Sequence, residues 1–349
     1  MNWQKYLTRE YSFLYISYAA DCYRRMKKLT GTTINFDLAH GKGEIVSLYG
    51  ILDDFSNCYD LIDTGLRKNP KHGQKIAGDF ENTAKRYFDL VKSAKKEKDR
   101  EELKKILFNL DKTFLDLLCY YLYFVYLGYG GDKPAIKRFF RNNKKKFEGI
   151  RNSGVETHMD KKFPEIFGKY NLKIRNLVAF MSRAELRKFL SGGKLDLQKI
   201  KDRKKEYLLI TQNGKTREYR SEDIKRVIAG ELGNIEAAAG ANFVKGKIAS
   251  RGRVAGPARV VFTKKDYGKI KKGDILVTPM TKPNIVPYLS KVKGIITNDG
   301  GALSHASIIS REMKIPCIVG TVHATDIFRG GDKVELDANK GIAKIMKQL

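Results

Sequence analysis

A chain of 349 residues, 42% of them hydrophobic, is long enough for two or three domains with cores of their own, which excludes a disordered or fibrous polypeptide. Lys and Arg outnumber Asp and Glu by 68 to 39, a formal charge of +29 that raises the local concentration of phosphorylated ligands or an acidic partner. Lys greatly outnumbers Arg and the excess runs along the whole chain without interleaved exposed aromatics, so no specific nucleic-acid site is expected.

In chain order, Tyr11, Leu14, Tyr15, Tyr18, Cys22, Tyr23 and Met26 recur at three- and four-residue steps and predict a helix over 3–28, ended by Gly31. Residues 33–50 are β-branched around His40-Gly41-Lys42-Gly43 and read as a short hairpin or an irregular loop. Helical patterns follow over about 51–66, 74–96, 99–128 and 133–148. The stretch Leu103 to Leu127 is apolar on several faces and belongs inside a bundle. The many Tyr and Phe residues before position 130 suit that bundle's core, or else a pocket for a small organic acceptor. The charge runs from Lys95 to Arg100 and from Arg141 to Lys146 read as solvated helix faces or loops. The greasy run Phe114 to Tyr129 contains Asp116 and is too short for a bilayer, and the sequence starting Met1-Asn-Trp-Gln-Lys shows no apolar leader. Cys22, Cys58, Cys119 and Cys317 lie far apart, with no metal-ligand spacing and no disulfide framework. A cytoplasmic protein with no membrane contact and no metal is the expectation.

Past residue 150 the texture changes. Ser182-Arg-Ala-Glu185 is a capping box that opens a short helix stopping at Gly192-Gly193. Two strand-like segments flank Asn213-Gly214, a hairpin signal, and residues 230–242, rich in Ala and Gly, read as a linker. From 246 onward strand and helix signals alternate. The chain therefore divides into a helical domain (1–170) with a possible acceptor-binding role, a helix/hairpin connector and linker (171–242), and a compact α/β domain (243–349). The fold class is α+β, multidomain.

The most informative stretch lies in that last domain. Gly300-Gly-Ala-Leu-Ser-His305-Ala-Ser-Ile-Ile-Ser-Arg311 follows the strand-like Gly294-Ile-Ile-Thr297 and opens a helix. A histidine in the first turn of a helix sits beside N–H groups that lack intrahelical partners and at the positive end of the macrodipole. A phosphoryl group on the His305 ring would be stabilised there. Gly300 and Gly301 leave room for backbone to approach a phosphate. The backbone around Ala306 and the hydroxyls of Ser304 and Ser307 supply further donors. His40, His72, His158 and His323 have no comparable setting, and His323 reads as a histidine of a solvent-exposed loop.

The flanking segments extend the pattern: Gly246-Lys-Ile-Ala-Ser-Arg-Gly-Arg-Val-Ala-Gly256, Asp274-Ile-Leu-Val-Thr-Pro-Met-Thr-Lys-Pro283, Lys314-Ile-Pro-Cys-Ile-Val-Gly320 and Gly331-Asp-Lys-Val-Glu-Leu-Asp337. Together they resemble the swivelling phosphohistidine domain of the phosphoenolpyruvate (PEP)-utilising enzymes. Leu303 departs from the pattern, standing where most of that family has Thr. The resemblance implies that His305 carries a phosphoryl group and that Arg311 is a supporting residue. It also implies an ATP-grasp or PEP-dependent donor and a small-molecule acceptor. No glycine-rich phosphate loop and no strict strand–helix alternation for a (β/α)₈ barrel precede it, so a separate donor protein is expected to supply ATP with Mg²⁺, or PEP, with no cofactor bound by this chain alone. The competing expectation is a regulatory or binding protein that keeps the swivel fold without turnover, with polyanion binding through the positive charge a distant third. The 230–245 segment is the expected hinge.

Overall fold

The computed structural model describes residues 3–31, 36–129, 132–239, 242–301 and 304–346. Among them, none forms a helix long and apolar enough to cross a membrane, and no three His, Cys, Asp or Glu residues gather as a metal site.

The N-terminal part begins with a strand where the spacing predicts a helix. Gln4–Glu10 is β1, and helix α1 runs only from Phe13 to Thr30. The break has a local cause: the Ser12 side chain accepts from Tyr15 N, an N-cap that starts the helix after the strand. Gly31, at φ 81, ends α1 as the sequence predicts. Strands β2 (Phe36–Lys42) and β3 (Ile45–Gly50) form the hairpin around Gly43. Then come α2 (Leu52–Lys68), α3 (Pro70–Lys96), α4 (Arg100–Tyr129), α5 (Pro134–Asn152), the single turn α6 (Val155–Thr157), α7 (Phe163–Tyr170), α8 (Arg183–Leu190) and α9 (Leu197–Arg203). The Ser182/Glu185 capping box at the start of α8 is present in full.

The Asn213-Gly214 hairpin forms β4 (Glu206–Gln212) and β5 (Lys215–Tyr219), both turn residues having positive φ. It is not a free connector. β4 pairs with β2, closing an antiparallel sheet in the order β1-β3-β2-β4-β5. Residues 221–239 are helix α10 (Ser221–Ala239), which corrects the linker expected over 230–242. Ala is the best helix former, so an Ala-rich stretch is a poor linker when tertiary contacts hold its N-terminal half. Residues 240–241 of that expected hinge lie outside the described residues.

Period-two alternation divides this sheet into two buried faces. Ala39, Val46, Leu48, Tyr207 and Leu209 pack into the helical bundle. Leu38, Tyr49, Leu208 and Ile210 pack on Trp3 and on Ile224 and Leu232 of α10. Inside the bundle the aromatics are close-packed: the Phe114 and Phe163 rings stack at 4.2 Å, with Tyr18 edge-on to Phe114 at 4.4 Å. They form a core, the first of the two roles open to them. Asp111 is a polar exception, fully buried, and accepts from Tyr18 Oη at 2.6 Å and from Arg183.

The C-terminal domain has one eight-stranded sheet in the order β6-β13-β12-β8-β9-β10-β11-β7. Its elements are β6 (Phe243–Lys245), β7 (Lys247–Ser250), β8 (Arg253–Val260), β9 (Ile275–Thr278), α11 (Val286–Leu289), β10 (Gly294–Thr297), α12 (His305–Glu312), β11 (Cys317–Val319), α13 (Ala324–Ile327), β12 (Lys333–Asp337) and β13 (Ile342–Ile345). The four strands β8, β9, β10 and β11 run parallel, and the last three are buried on both faces. Ile275, Val277, Ile296 and Ile318 point to the α13 side, and Leu276, Ile295, Cys317 and Val319 to the α11/α12 side. Helices therefore cover both faces, as a parallel sheet requires.

The two parts touch along β1, the edge strand of the five-stranded sheet. β1 supplies most of the contacts: Lys5 to Asp326 at 2.8 Å, Arg9 to Asp299, and Glu10 to Lys282 at 3.0 Å. Glu44 beside β3 adds Lys265 at 2.9 Å.

Candidate functional site

The carboxyl ends of adjacent parallel strands are where open α/β sheets place ligand sites, because the loops there diverge and helix N-termini converge. In this domain the ends of β9 and β10 meet at His305. The loop after β10 is held at several points. Asn298 N donates to Thr278 O, Asp299 N donates to Pro279 O, and the Asn298 side chain both donates to Thr325 Oγ1 at 2.6 Å and accepts from Thr325 N. Thr297 Oγ1 donates to Asp299 O at 2.6 Å. Gly300 then turns with φ 121, a conformation closed to most side chains.

The glycine requirement falls on Gly300 alone. A Cβ there would lie 2.9 Å from Ser304 Oγ and 3.2 Å from Ser304 Cβ, whereas one on Gly301 would meet no atom of the described residues within 4 Å. Gly301 contributes instead its carbonyl, which accepts from Ser307 Oγ at 2.7 Å and from Ser304 N at 3.0 Å.

Ser304 is the N-cap of α12. Its hydroxyl accepts from Ser307 N at 3.3 Å and donates to Ser307 Oγ at 3.1 Å. Ser307 is fully buried and both its groups are committed to the loop. That corrects its reading as a phosphate donor: it braces the turn that presents His305. Ala306 is buried against the sheet, so only its backbone is available to the site. Among the described residues the N–H groups of His305 and Ala306, which open the helix, have no backbone acceptor. Arg311 is exposed six residues along α12, roughly 9 Å by helical rise and 240° around the axis. It therefore faces away from the imidazole. Leu303 lies outside the described residues.

Thr281 is the residue that sequence reasoning missed. It is 2% exposed, in the loop after β9, and its Oγ1 lies 2.8 Å from His305 Nδ1. One ring nitrogen is thereby occupied, which leaves Nε2 for chemistry. The signal was present in Thr278-Pro-Met-Thr-Lys-Pro283, but only pairing of β9 with β10 brings position 281 to position 305.

The electrostatics come from both domains. Burial raises the Asp299 carboxyl above the usual range, and the Arg9 guanidinium on β1 works in the opposite direction. The segment that turns at Gly300 is thus tied to the N-terminal sheet immediately before the histidine. His323, expected in a solvent loop, is half-buried and paired with Asp326 at 3.2 Å.

Comparison with known proteins agrees with this geometry. Residues 270–341 match the family model described as PEP-utilising enzyme, mobile domain. The chain is 43% identical over 107 residues to a probable phosphoenolpyruvate synthase of Archaeoglobus fulgidus, 31% of this chain and 14% of that protein. It is 45% identical over 100 residues to the phosphoenolpyruvate synthase of Pyrococcus furiosus, 29% of this chain and 12% of that protein. Similarity to the rifampicin phosphotransferase of Bacillus subtilis is lower, at 31%, but extends over 168 residues, 48% of this chain and 19% of that protein. The chain thus spans less than a fifth of each of these relatives. With His305 at the ends of two parallel strands and the matched pattern running through both, the C-terminal domain of this chain is similar to the mobile domain of the PEP-utilising enzymes.

Proposed function

We propose that the chain is a phosphohistidine carrier in a split phosphotransferase, receiving a phosphoryl group on His305 from a separate donor protein and passing it to a small acceptor. The observation that carries this reading is the Thr281–His305 contact at 2.8 Å. For Nε2 to act as a nucleophile it must hold a lone pair, so the proton of neutral His305 resides on Nδ1 and is donated to Thr281 Oγ1. Nε2 then attacks phosphorus in line, the new N–P bond forms, and the P–O bond to the leaving group breaks with its electron pair going to that oxygen. The product ring carries substituents on both nitrogens and is cationic. An acceptor oxygen next attacks phosphorus, and the N–P pair returns to Nε2. Thr281 keeps the Nδ1 proton in place through both steps, which preserves the ring as a leaving group. The helix N-terminus stabilises the phosphoryl oxygens.

The donor is a separate ATP-grasp or PEP-dependent protein. Supporting this, the described residues before 240 form a helical bundle and an antiparallel sheet, with no (β/α)₈ barrel among them. Mg²⁺ and ATP, or PEP, would then be bound by that partner.

The test is to incubate the chain with the ATP-grasp domain of a phosphoenolpyruvate synthase and ATP labelled at the β-phosphate. Acid-labile, base-stable label is expected on the wild-type chain and none on His305→Ala. Label retained by His305→Ala would reject the assignment of the residue. Absence of label from this donor and from PEP with a PEP-binding barrel domain would reject the carrier function.

A further inference from the structure

A cavity of about 500 Å³, with no lining residue from the His305 turn, lies in the seam between the two parts of the chain. Its floor is the five-stranded sheet, through His40 and Lys42 of β2, Tyr49 of β3 and Glu206 of β4. One wall is α10, through Ile224, Lys225, Ile228 and Leu232. The other belongs to the mobile domain, through His323 and Asp326. Cavities of this size between domains are where small organic ligands bind, with an apolar lining and a few convergent polar groups.

The charges in the cavity do not cancel. Glu206 is engaged by His40 Nε2 at 2.8 Å and by Lys42 at 3.3 Å. Asp326 is engaged by Lys5, itself buried, and by His323. Both carboxylates are thus matched by a lysine within the structure. Lys225 is exposed on α10 and has no ion-pair partner among the described residues, so one positive charge is left over. Lys42, with its side chain 69% exposed, keeps donors free beyond its contact with Glu206. Burial holds His40 below its ordinary range, so at neutral pH it contributes a neutral ring rather than a second charge. Beside these cations the Tyr49 ring and the side chains of Ile224, Ile228 and Leu232 make an apolar surface.

We infer that this seam is a binding site for a small organic anion, a phosphate monoester or carboxylate with an apolar body, held by Lys42 and Lys225 at its charged end and by the Tyr49/Ile228 surface at the other. The site stands apart from the phosphohistidine reading, since none of its lining residues belongs to the His305 turn. Its occupant touches both domains, so binding favours the docked arrangement over any in which the mobile domain has swung away.

The test uses phenyl phosphate as probe on the full chain by calorimetry, with phenol and inorganic phosphate as partial probes. Phenyl phosphate is expected to bind at least tenfold more tightly than either partial probe. The Lys42→Met/Lys225→Met double variant and, independently, Ile228→Glu should each lose tenfold or more while melting as cooperatively as the wild type. His305→Ala should bind the probe unchanged. The inference is overturned by equal affinity for the three probes, by no binding at roughly 10 mM, by a folded double variant that binds as the wild type does, or by loss of binding in His305→Ala, which would place the probe at the phosphohistidine turn. Failure of phosphorylation on His305 would leave this site untouched, so the two readings fail separately.

Discussion

At the scale of single residues, the site depends on two side-chain choices whose removal should have separable effects. Thr281→Val keeps the volume at a buried position and removes the hydroxyl that faces His305 Nδ1. Its expected consequence is a fall of about 10- to 100-fold in the rate of His305 labelling, the loss typical of one positioning interaction. Melting temperature should change little, and Thr281→Ser should restore most of the rate. A Thr281→Val chain labelled at the wild-type rate would show that Thr281 does not set the tautomer. The second choice is Gly300, with φ 121 and with Ser304 Oγ only 2.9 Å from where a methyl group would sit. Gly300→Ala should destabilise the mobile domain by about 1–3 kcal/mol, the cost of holding a non-glycine residue in such a backbone region. Gly301→Ala should leave thermal stability unchanged, because no atom of the described residues lies within 4 Å of the added methyl group. Paired denaturation curves decide between them, and equal losses would place the strain elsewhere in the turn.

At the scale of elements, the N-terminal sheet carries a titratable group of its own. Asp37 on β2 is buried and accepts from Tyr6 Oη at 2.9 Å. Burial pushes its carboxyl up to about 7, and the hydrogen bonds from Tyr6 and Tyr23 lower it in part. An acid raised in the folded state holds its proton after the unfolded chain has released it. Stability from this group is therefore present in full below about pH 4 and falls as pH rises toward 7. Above that it changes no further. Asp37→Asn should flatten the pH dependence across this window and be more stable than the wild type at pH 8, by on the order of 2–4 kcal/mol in unfolding free energy. Chemical denaturation at several pH values measures it, and an unchanged slope would show that Asp37 ionises freely in the fold. The same sheet explains why residues 206–219 are not a connector. Their hairpin turn is legible from Asn213-Gly214, but pairing of β4 with β2 spans more than 150 residues of chain and leaves no local mark.

At the scale of the whole molecule, two self-contained sheets meet through ion pairs. All eight strands of the mobile domain fall between Phe243 and Ile345, so the fragment 243–349 should fold alone and accept label on His305. Isolated surface pairs are worth little, about 0–1 kcal/mol each, and salt screens them. Lys5–Asp326 is the exception in burial on the lysine side. Lys5→Ala/Arg9→Ala should release the docked arrangement: distances between labels on the two domains are expected to spread from one population to several, with faster labelling by an added donor. Raising the salt should move the wild type in the same direction. A single narrow distance, unchanged in the double variant and in high salt, would mean that the domains are fixed by apolar contact and that His305 is not carried between sites.

Local signals determined much of this protein. The histidine turn, the glycine before it, the Ser182/Glu185 capping box, the Asn-Gly hairpin and the alternation of the mobile domain all depend on residues within a few positions of one another, where propensity and turn chemistry act directly. Locality also misleads: the three- and four-residue spacing carries the first helix back over β1, because nothing within that segment announces that its partner is Ile45–Gly50. The Ala-rich end of α10 likewise reads as a linker, since its helical state depends on Ile224 and Leu232 seating on a sheet built from distant strands. Tertiary structure alone brought Thr281 to His305, made Ser307 a brace, and joined His40 to His323 across one cavity. Each of these is a contact decided by which faces bury together, and one-dimensional spacing holds no measure of that.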